Sequence, residues 1–178
     1  LGVEYDAYGF TAKNGKLLEA ALSDFCILED ASDLISRLRV IKSGAELDYV
    51  RKASELADRA YDEAYRLAGP GVNEGDILAA MQGVIFSGGG DYPGNEFIIG
   101  SGKDALLCRY KSGRRKLDPQ DQLTLEWAAA YRHYHAAMMR TIPIGQATER
   151  HKRMHVVALE ARDACPEGLK PGRPIGEV

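Results

Sequence analysis

The stretch Ser43–Leu67 constrains the fold most, because its apolar residues recur at the spacing of one helix face. Intervals of three and four separate Leu47, Val50, Ala53, Ala57, Ala60, Ala64 and Leu67. Ser43 and Glu46 form an S-x-x-E capping box, in which each side chain can satisfy a backbone N–H at the helix start. The run Gly69-Pro70-Gly71 cannot continue the helix. The sequence therefore predicts one long amphipathic helix.

Shorter elements follow this helix. Asn73 is placed to cap a second helix extending to about Phe86, and a last helix is expected from about Thr148 to Cys165. Apolar segments lie between them, separated by turns, at residues 97–99, 123–127, 129–135 and 138–144. Their spacing suits antiparallel pairing. This order of elements indicates the α+β class, an antiparallel sheet with helices on one face.

The composition is that of a globular protein and excludes two kinds of partner. Of 178 residues, 45% are hydrophobic and 28% are charged, and the net charge of −3 does not favour a nucleic-acid surface. No apolar run reaches the roughly 18 residues of a membrane span, and Leu1–Glu4 lacks the features of a signal peptide. Cys26, Cys108 and Cys165 are odd in number and widely spaced, which predicts free thiols in a reducing, cytoplasmic compartment.

Glu126 is the first candidate for chemistry, because it lies among apolar residues in the segment Leu123–Ala128. A carboxylate in such surroundings is costly to bury unless it has partners. Groups of this kind often have shifted pKa values, which favours a catalytic role. The alternative is an edge-strand glutamate that points to water, and the residues alone leave both interpretations open.

Two histidine pairs are candidates for a metal site. His133 and His135 are two apart on a predicted strand and are expected to share a face with Tyr131, but two ligands from one strand are too few for a zinc centre. His151 and His155 are four apart on the last helix without the glutamate of an H-E-x-x-H motif, so a solvated basic face is the simpler interpretation.

Two loops could contact an anion. The glycines at 88–90 do not fit a phosphate-binding motif, since no strand–G-x-G-x-x-G–helix arrangement and no G-K-[ST] is present. Basic residues cluster between Arg109 and Lys116. A solvated loop is the default interpretation of this cluster, and a contact to a substrate carboxylate is the functional one, because a guanidinium can bind a carboxylate through two hydrogen bonds.

Five segments, taken in order, resemble the creatinase, prolidase and aminopeptidase P family (M24), whose catalytic domain has the pita-bread fold. They are Leu1–Glu4, Ile41–Glu46 (I-K-S-x-x-E), Pro70–Glu74 (P-G-V-N-E), Arg140–Gly145 (R-T-x-P-x-G) and Leu169–Gly172 (L-K-P-G). The resemblance implies that residues 1–40 are the end of an N-terminal domain and a linker. It implies that residues 41–178 are the first part of the catalytic domain, with the C-terminal half absent.

The chain departs from the family pattern at the metal positions. Metal-dependent members have two aspartates whose positions match Glu126 and Ala137 here, and alanine cannot coordinate a metal. The pattern is closest to metal-free members such as ectoine hydrolase and creatinase, which the segment Gly89–Pro93 also resembles. The resemblance therefore implies no metal ligands and no cofactor, with manganese or zinc as the alternative.

The implied activity is hydrolysis of a C–N bond in a small molecule. Glu126 is expected to act as nucleophile or base, a role in which a carboxylate divides one difficult hydrolysis into two easier steps. His135 and Tyr134 are expected to donate protons or to orient the substrate. The same resemblance predicts substrate contacts from Arg109, together with Asp91 and Tyr92.

Two other functions stay open. One is a metal-dependent Xaa-Pro dipeptidase or aminopeptidase that tolerates the altered positions. The other is an inactive pita-bread domain used for binding or dimerisation, because a fold does not determine a function. In the favoured interpretation the partners are a small-molecule substrate and a second copy of the chain in a homodimer, with neither nucleic acid nor membrane.

Overall fold

The computed structural model describes residues 1–106 and 114–177, which divide into two compact units at Asp48. In the first unit, strand β1 (Gly2–Val3) pairs in parallel with β2 (Glu29–Asp30). Helix α1 (Ala12–Leu22) lies between them in the chain, and α2 (Ser32–Val40) follows β2. The Thr11 side chain caps α1 by accepting a hydrogen bond from the N–H of Asn14.

The two predicted central helices are confirmed. Helix α3 spans Gly44–Leu67, and the capping box has both of its bonds: the Ser43 N–H donates to the Glu46 carboxylate at 2.6 Å, and the Glu46 N–H donates to Ser43 Oγ at 3.4 Å. Helix α4 spans Glu74–Ser87, and the Asn73 side chain accepts from the Gly75 N–H at 2.8 Å. Local capping chemistry therefore sets both helix starts.

The second unit contains an antiparallel sheet in the order β3 (Ile98–Ser101), β4 (Asp121–Tyr131), β5 (Tyr134–Ile144). The prediction of three strands between residues 123 and 144 is wrong, because β4 and β5 are two long strands joined directly. Arg132 and His133 form the connection with φ values of 51° and 67°. Positive φ at both central residues is typical of a tight hairpin turn.

One face of the sheet packs against the helices and forms the core. On β4 this core face carries the buried side chains of Leu123, Leu125, Trp127 and Ala129. They meet Leu56, Ala57, Ala60 and Ala64 of α3 and Ile77, Met81 and Ile85 of α4. The Trp127 indole N–H donates to the Ala57 carbonyl at 3.2 Å, and its ring stacks on Tyr61 with 6.0 Å between centroids. The predicted α+β class, with helices on one face of an antiparallel sheet, is confirmed.

The opposite face of β4 and β5 is named the open face here. Its members alternate with the core residues and are half-buried or exposed: Thr124, Glu126 and Ala128 on β4, and His135, Ala137, Met139 and Thr141 on β5. Met139 keeps 58% of its surface exposed. The period of two along a strand places all of these side chains on one side of the sheet.

Helix α5 (Glu149–Gly168) follows the sheet and begins with a capping box between Thr148 and His151. It passes through Pro166, so the prediction that the helix stops at Cys165 was three residues short. Cys26 and Cys165 are free thiols, whereas Cys108 lies outside the described residues. Cys165 is exposed. Among the helices of the described chain, none has the length and apolarity of a membrane span.

Candidate functional site

Glu126 lies in the middle of the open face. Its cross-strand partners are Ile98 on β3 and Met139 on β5, and all three share one side of the sheet. Ala137 pairs with Ala128, so it is the diagonal neighbour of Glu126 on the same face. The glutamate is half-buried among apolar side chains and small methyl groups. This placement puts Ala128 and Ala137, whose side chains are single methyl groups, next to Glu126 on the open face.

These surroundings do not form a metal site by themselves. Across residues 1–106 and 114–177, no three His, Cys, Asp or Glu side chains are grouped so that they could hold a metal ion. The open-face residues nearest Glu126 are alanine, methionine, isoleucine and threonine, and none of them supplies a carboxylate or an imidazole. Carboxylate, imidazole and thiolate groups are the usual protein ligands of zinc.

Tyr134 and His135 point to opposite faces of the sheet. Tyr134 pairs with Tyr131, and the two rings lie 5.6 Å and 6.0 Å from the ring of Tyr49 on α3. Tyr134 is therefore on the helix side, whereas His135 is on the open face. The expectation that Tyr131, His133 and His135 share a face is wrong, because the hairpin turn intervenes and His133 is part of it.

His135 uses both of its ring nitrogens. Its Nε2 accepts a hydrogen bond from the Gly94 N–H at 2.8 Å, and its Nδ1 lies 2.9 Å from the His133 carbonyl oxygen. Because Nε2 is an acceptor, Nδ1 carries the proton and donates it to the carbonyl. The partner of His135 on β4 is Ala130, four residues from Glu126. At about 3.3 Å per residue, roughly 13 Å separates the two backbones.

Asp91 and Tyr92 lie in the connection from α4 to β3. The Asp91 N–H donates to the Ala130 carbonyl at 2.8 Å, and its carboxylate accepts from the His133 N–H at 3.1 Å. Tyr92 is 82% exposed and contacts Phe86 edge-on, with ring centroids 4.8 Å apart. Asp91 is thus bonded to the hairpin turn, and Tyr92 is the member of the pair whose ring is open to solvent.

The predicted substrate residue Arg109 lies outside the described residues, as do the other members of the basic cluster up to position 113. Arg115, at the other end of that cluster, has a structural role. Its guanidinium donates to the carboxylates of Asp118 and Asp121 and to Ser101 Oγ at 2.6 Å. The default interpretation of a solvated basic loop is therefore wrong for Arg115.

Sequence reasoning missed the partly buried cluster around Arg115. Glu74 at the start of α4 is fully buried, accepts from Ser101 Oγ at 2.5 Å and also accepts from the Arg115 N–H at 3.4 Å. The cluster thereby joins α4, the end of β3 and the start of β4. The sequence signal that could have indicated this cluster is the spacing of Arg115, Asp118 and Asp121, which places opposite charges on either side of a turn.

The contacts in this cluster shift the pKa values of Asp121 and Arg115. Burial alone would raise the pKa of Asp121, but hydrogen bonds from Arg115 and from the backbone N–H groups of Asp118 and Gln122 outweigh it. The net effect holds the pKa of Asp121 below its ordinary value. The hydrogen bond to Asp121 in turn raises the pKa of the Arg115 guanidinium, so both groups stay charged at neutral pH.

The sequence is similar to a family of peptidases and to curated members of it. Residues 48–178 match the family described as Metallopeptidase family M24. The Xaa-Pro dipeptidase of Pyrococcus horikoshii is 30% identical over 173 residues, which is 97% of this chain and 48% of that protein. The chain thus spans about half the length of the curated relatives that it matches.

Solved structures have the same fold. The crystal structure of the prolidase from Pyrococcus horikoshii OT3 superposes with a TM-score of 0.85 at 27% identity, covering 97% of this chain and 48% of the prolidase. The X-Pro aminopeptidase of Thermotoga maritima gives a TM-score of 0.81 at 22% identity, covering 91% and 45% of the two chains. The expected pita-bread architecture is confirmed, and no part of the match singles out ectoine hydrolase or creatinase.

These matches contradict one prediction. We expected no cofactor, from the alanine at position 137, whereas the matching family is one of metallopeptidases and the relatives are Xaa-Pro peptidases. The alternative, manganese or zinc, is the one that the matches favour. The resemblance to the prolidase and aminopeptidase P group is confirmed, with a family match that covers most of the chain. The chain therefore belongs to metallopeptidase family M24.

Proposed function

We propose that the protein is a metal-dependent peptidase that hydrolyses the bond before proline in Xaa-Pro substrates. The observation that carries this proposal is the 30% identity to an Xaa-Pro dipeptidase across 97% of the chain. The described residues do not assemble a metal site, so the proposal requires metal ligands beyond them. Manganese and zinc are the two ions to test first.

In this proposal the open face is the part of the substrate site that the described chain contributes. Glu126 is the carboxylate nearest to the centre of that face, and Ala128 and Ala137 leave room beside it. A carboxylate in this position can hold or accept a proton at Oε1 or Oε2 during hydrolysis. Tyr92 and Arg109 remain proposed substrate contacts, and Asp91 remains a proposed member of the site. The Tyr134 ring lies on the helix side of the sheet, so the proposal gives it no part in the open face.

A second candidate function is hydrolysis of a ring or amidine C–N bond in a small molecule. One observation favours it: the diagonal neighbour of Glu126 is an alanine, so the carboxylate faces the substrate side without a second acidic group beside it. Such a carboxylate is suited to nucleophilic attack. The third interpretation, an inactive domain used for dimerisation, becomes the conclusion if neither activity is found.

The experiment is a substrate panel on the purified full-length protein. Ala-Pro and Gly-Pro dipeptides, the matched non-proline dipeptide Ala-Ala, and cyclic amidines are incubated with protein treated with chelator and then supplied with manganese or zinc. Cleavage of the proline dipeptides that depends on added metal supports the peptidase. Ring or amidine cleavage with inactive dipeptides supports the second candidate. The cytoplasmic location and the homodimer remain predictions.

A further inference from the structure

The end of the connection from α4 to β3 has more residues than the stretch of β4 that it runs beside. Asp91 forms an isolated antiparallel β-bridge with Ala130, and Ile98 pairs with Glu126 in the sheet. The six residues from 92 to 97 therefore cover the same stretch of the sheet as the three residues from 127 to 129 on β4. The extra chain cannot follow the strand and must bulge away from it, as a loop from residue 92 to residue 96.

A hydrogen bond determines the side to which this loop bulges. The Gly94 N–H donates to His135 Nε2 at 2.8 Å, and His135 lies on the same face as Ala137 and Met139. A Cβ built on Gly94 would be 3.5 Å from His135 Nε2, so the backbone itself lies close to the imidazole. The loop therefore overhangs the open face at its hairpin end, on the side of the sheet that carries Glu126.

We infer that His135 is a positioning residue that holds the 92–96 loop over the open face, where the loop forms one wall of the site containing Glu126. The Nδ1–H donates to the His133 carbonyl, which fixes the ring so that Nε2 faces Gly94. A second contact supports the first, since the Asp91 carboxylate accepts from the His133 N–H. The role of the loop as a wall of the site rests on the proposed function. The contact between His135 and Gly94 does not depend on that function.

The distance to Glu126 separates this role from direct catalysis. The backbones of His135 and Glu126 lie about four residues apart along the strands, roughly 13 Å. Both ring nitrogens of His135 are bonded at the hairpin end, so neither is directed to Glu126 for direct proton transfer. Loss of the Gly94 contact should therefore change how the substrate is bound more than how fast the bound substrate reacts. We expect KM to rise and kcat to stay nearly constant.

Two substitutions of His135 test the contact with opposite expectations. In His135→Gln the side-chain oxygen sits the same number of bonds from Cα as Nε2, so it can still accept from Gly94. In His135→Asn the shorter amide can reach the His133 carbonyl but not Gly94. His155→Gln on the exposed face of α5 is the matched control for loss of a histidine.

The first measurement is hydrogen exchange of the Gly94 amide, which does not depend on any enzymatic activity. We expect exchange to be roughly three- to tenfold faster in His135→Asn than in the wild type, and near the wild-type rate in His135→Gln and His155→Gln. Equal exchange in the Asn and Gln variants would overturn the positioning role. If His135→Asn fails to fold, the comparison of His135→Gln with the wild type decides, and fast exchange in His135→Gln would overturn the inference.

The second measurement is steady-state kinetics on whichever substrate the panel identifies. KM should rise severalfold in His135→Asn and be restored in His135→Gln, with kcat within about twofold throughout. A fall in kcat at unchanged KM in both variants would instead mark His135 as a catalytic residue. If the panel finds no substrate, the proposed function fails, while the exchange result still supports or overturns the contact.

Discussion

Glu126 of β4 and Ala137 of β5 are diagonal neighbours on the open face, since each lies two residues from the other's cross-strand partner. Diagonal positions of this kind are roughly 7–8 Å apart between Cα atoms, with Cβ atoms closer. Two carboxylates at these positions would be near enough to share a metal ion. With alanine at position 137, the sheet presents Glu126 without that partner.

Ala137→Asp should therefore strengthen metal binding. The new carboxylate lies beside Glu126 and adds a hard oxygen ligand, so we expect manganese affinity to rise by roughly tenfold or more. Isothermal titration of chelator-treated full-length protein measures it. Gln122→Glu adds the same charge to the same face, four residues from Glu126 along β4, and is the matched control. An equal rise in both variants would mean that the effect is one of net charge alone.

Glu126→Gln should remove most of the activity without unfolding the protein. The amide keeps the shape of the side chain but cannot accept a proton or attack a substrate, and positioned acid–base groups contribute about 10²–10⁴-fold. Measurement of kcat/KM on the substrate found, with circular dichroism to confirm the fold, tests this. Glu160→Gln, which makes the same change at an exposed position of α5, should retain activity. Unchanged turnover in Glu126→Gln would remove the residue from the site.

Asp121→Asn should destabilise the protein at neutral pH and reduce its sensitivity to acid. The substitution replaces the charged partner of Arg115 and the acceptor of two backbone N–H groups, which we expect to cost about 1.5–3 kcal/mol. Because the pKa of Asp121 is lowered in the folded state, its stabilisation is complete above the unfolded value of about 3.9 and is lost as the pH falls through the folded value.

Urea denaturation at pH 7 and at decreasing pH values measures both effects for Asp121. The wild type should lose stability with falling pH more steeply than Asp121→Asn. The exposed pair of Arg37 and Asp33 supplies the control, because Asp33→Asn should change stability by less than about 1 kcal/mol. Parallel pH profiles for the wild type and Asp121→Asn would contradict the assignment.

Trp127→Phe should destabilise the core by about 1–3 kcal/mol. The indole is 2% exposed, and the substitution removes its hydrogen bond to the Ala57 carbonyl, which keeps only its bond within helix α3. It also leaves part of the space between β4 and α3 unfilled. The denaturation midpoint measures the loss, with Tyr65→Phe on the exposed side of α3 as the control. A change no greater than that of the control would show that the bond contributes little.

Local patterns predicted the elements well where one short-range signal was strong. The capping residues Ser43, Glu46 and Asn73 begin the two central helices as expected, because a cap acts only on the turn that follows it. The β4–β5 segment was divided incorrectly, because neither Arg132 nor His133 is a glycine, the residue that usually indicates a tight hairpin turn. That error placed His133 and His135 on one face.

The candidate site likewise contains residues that local patterns identified and contacts that only the structure showed. Alternation along the strands and the family pattern identified Glu126 and Ala137 as the positions to compare, and these are properties of the sequence. His135 contacts Gly94, which lies 41 residues earlier in the chain. Arg115 contacts Ser101 and Glu74, which lie 14 and 41 residues earlier. Residue spacing does not encode such contacts.

The sequence by itself determined helices α3, α4 and α5, the α+β class and the family, because capping, periodicity and ordered motifs are local or additive signals. Only the tertiary structure decided that Tyr134 faces α3, that His135 holds the loop at Gly94, and that Arg115 joins three elements. The physical reason is that strand register and the direction of a loop follow from which faces are buried together. Burial is a property of the assembled chain rather than of any segment of it.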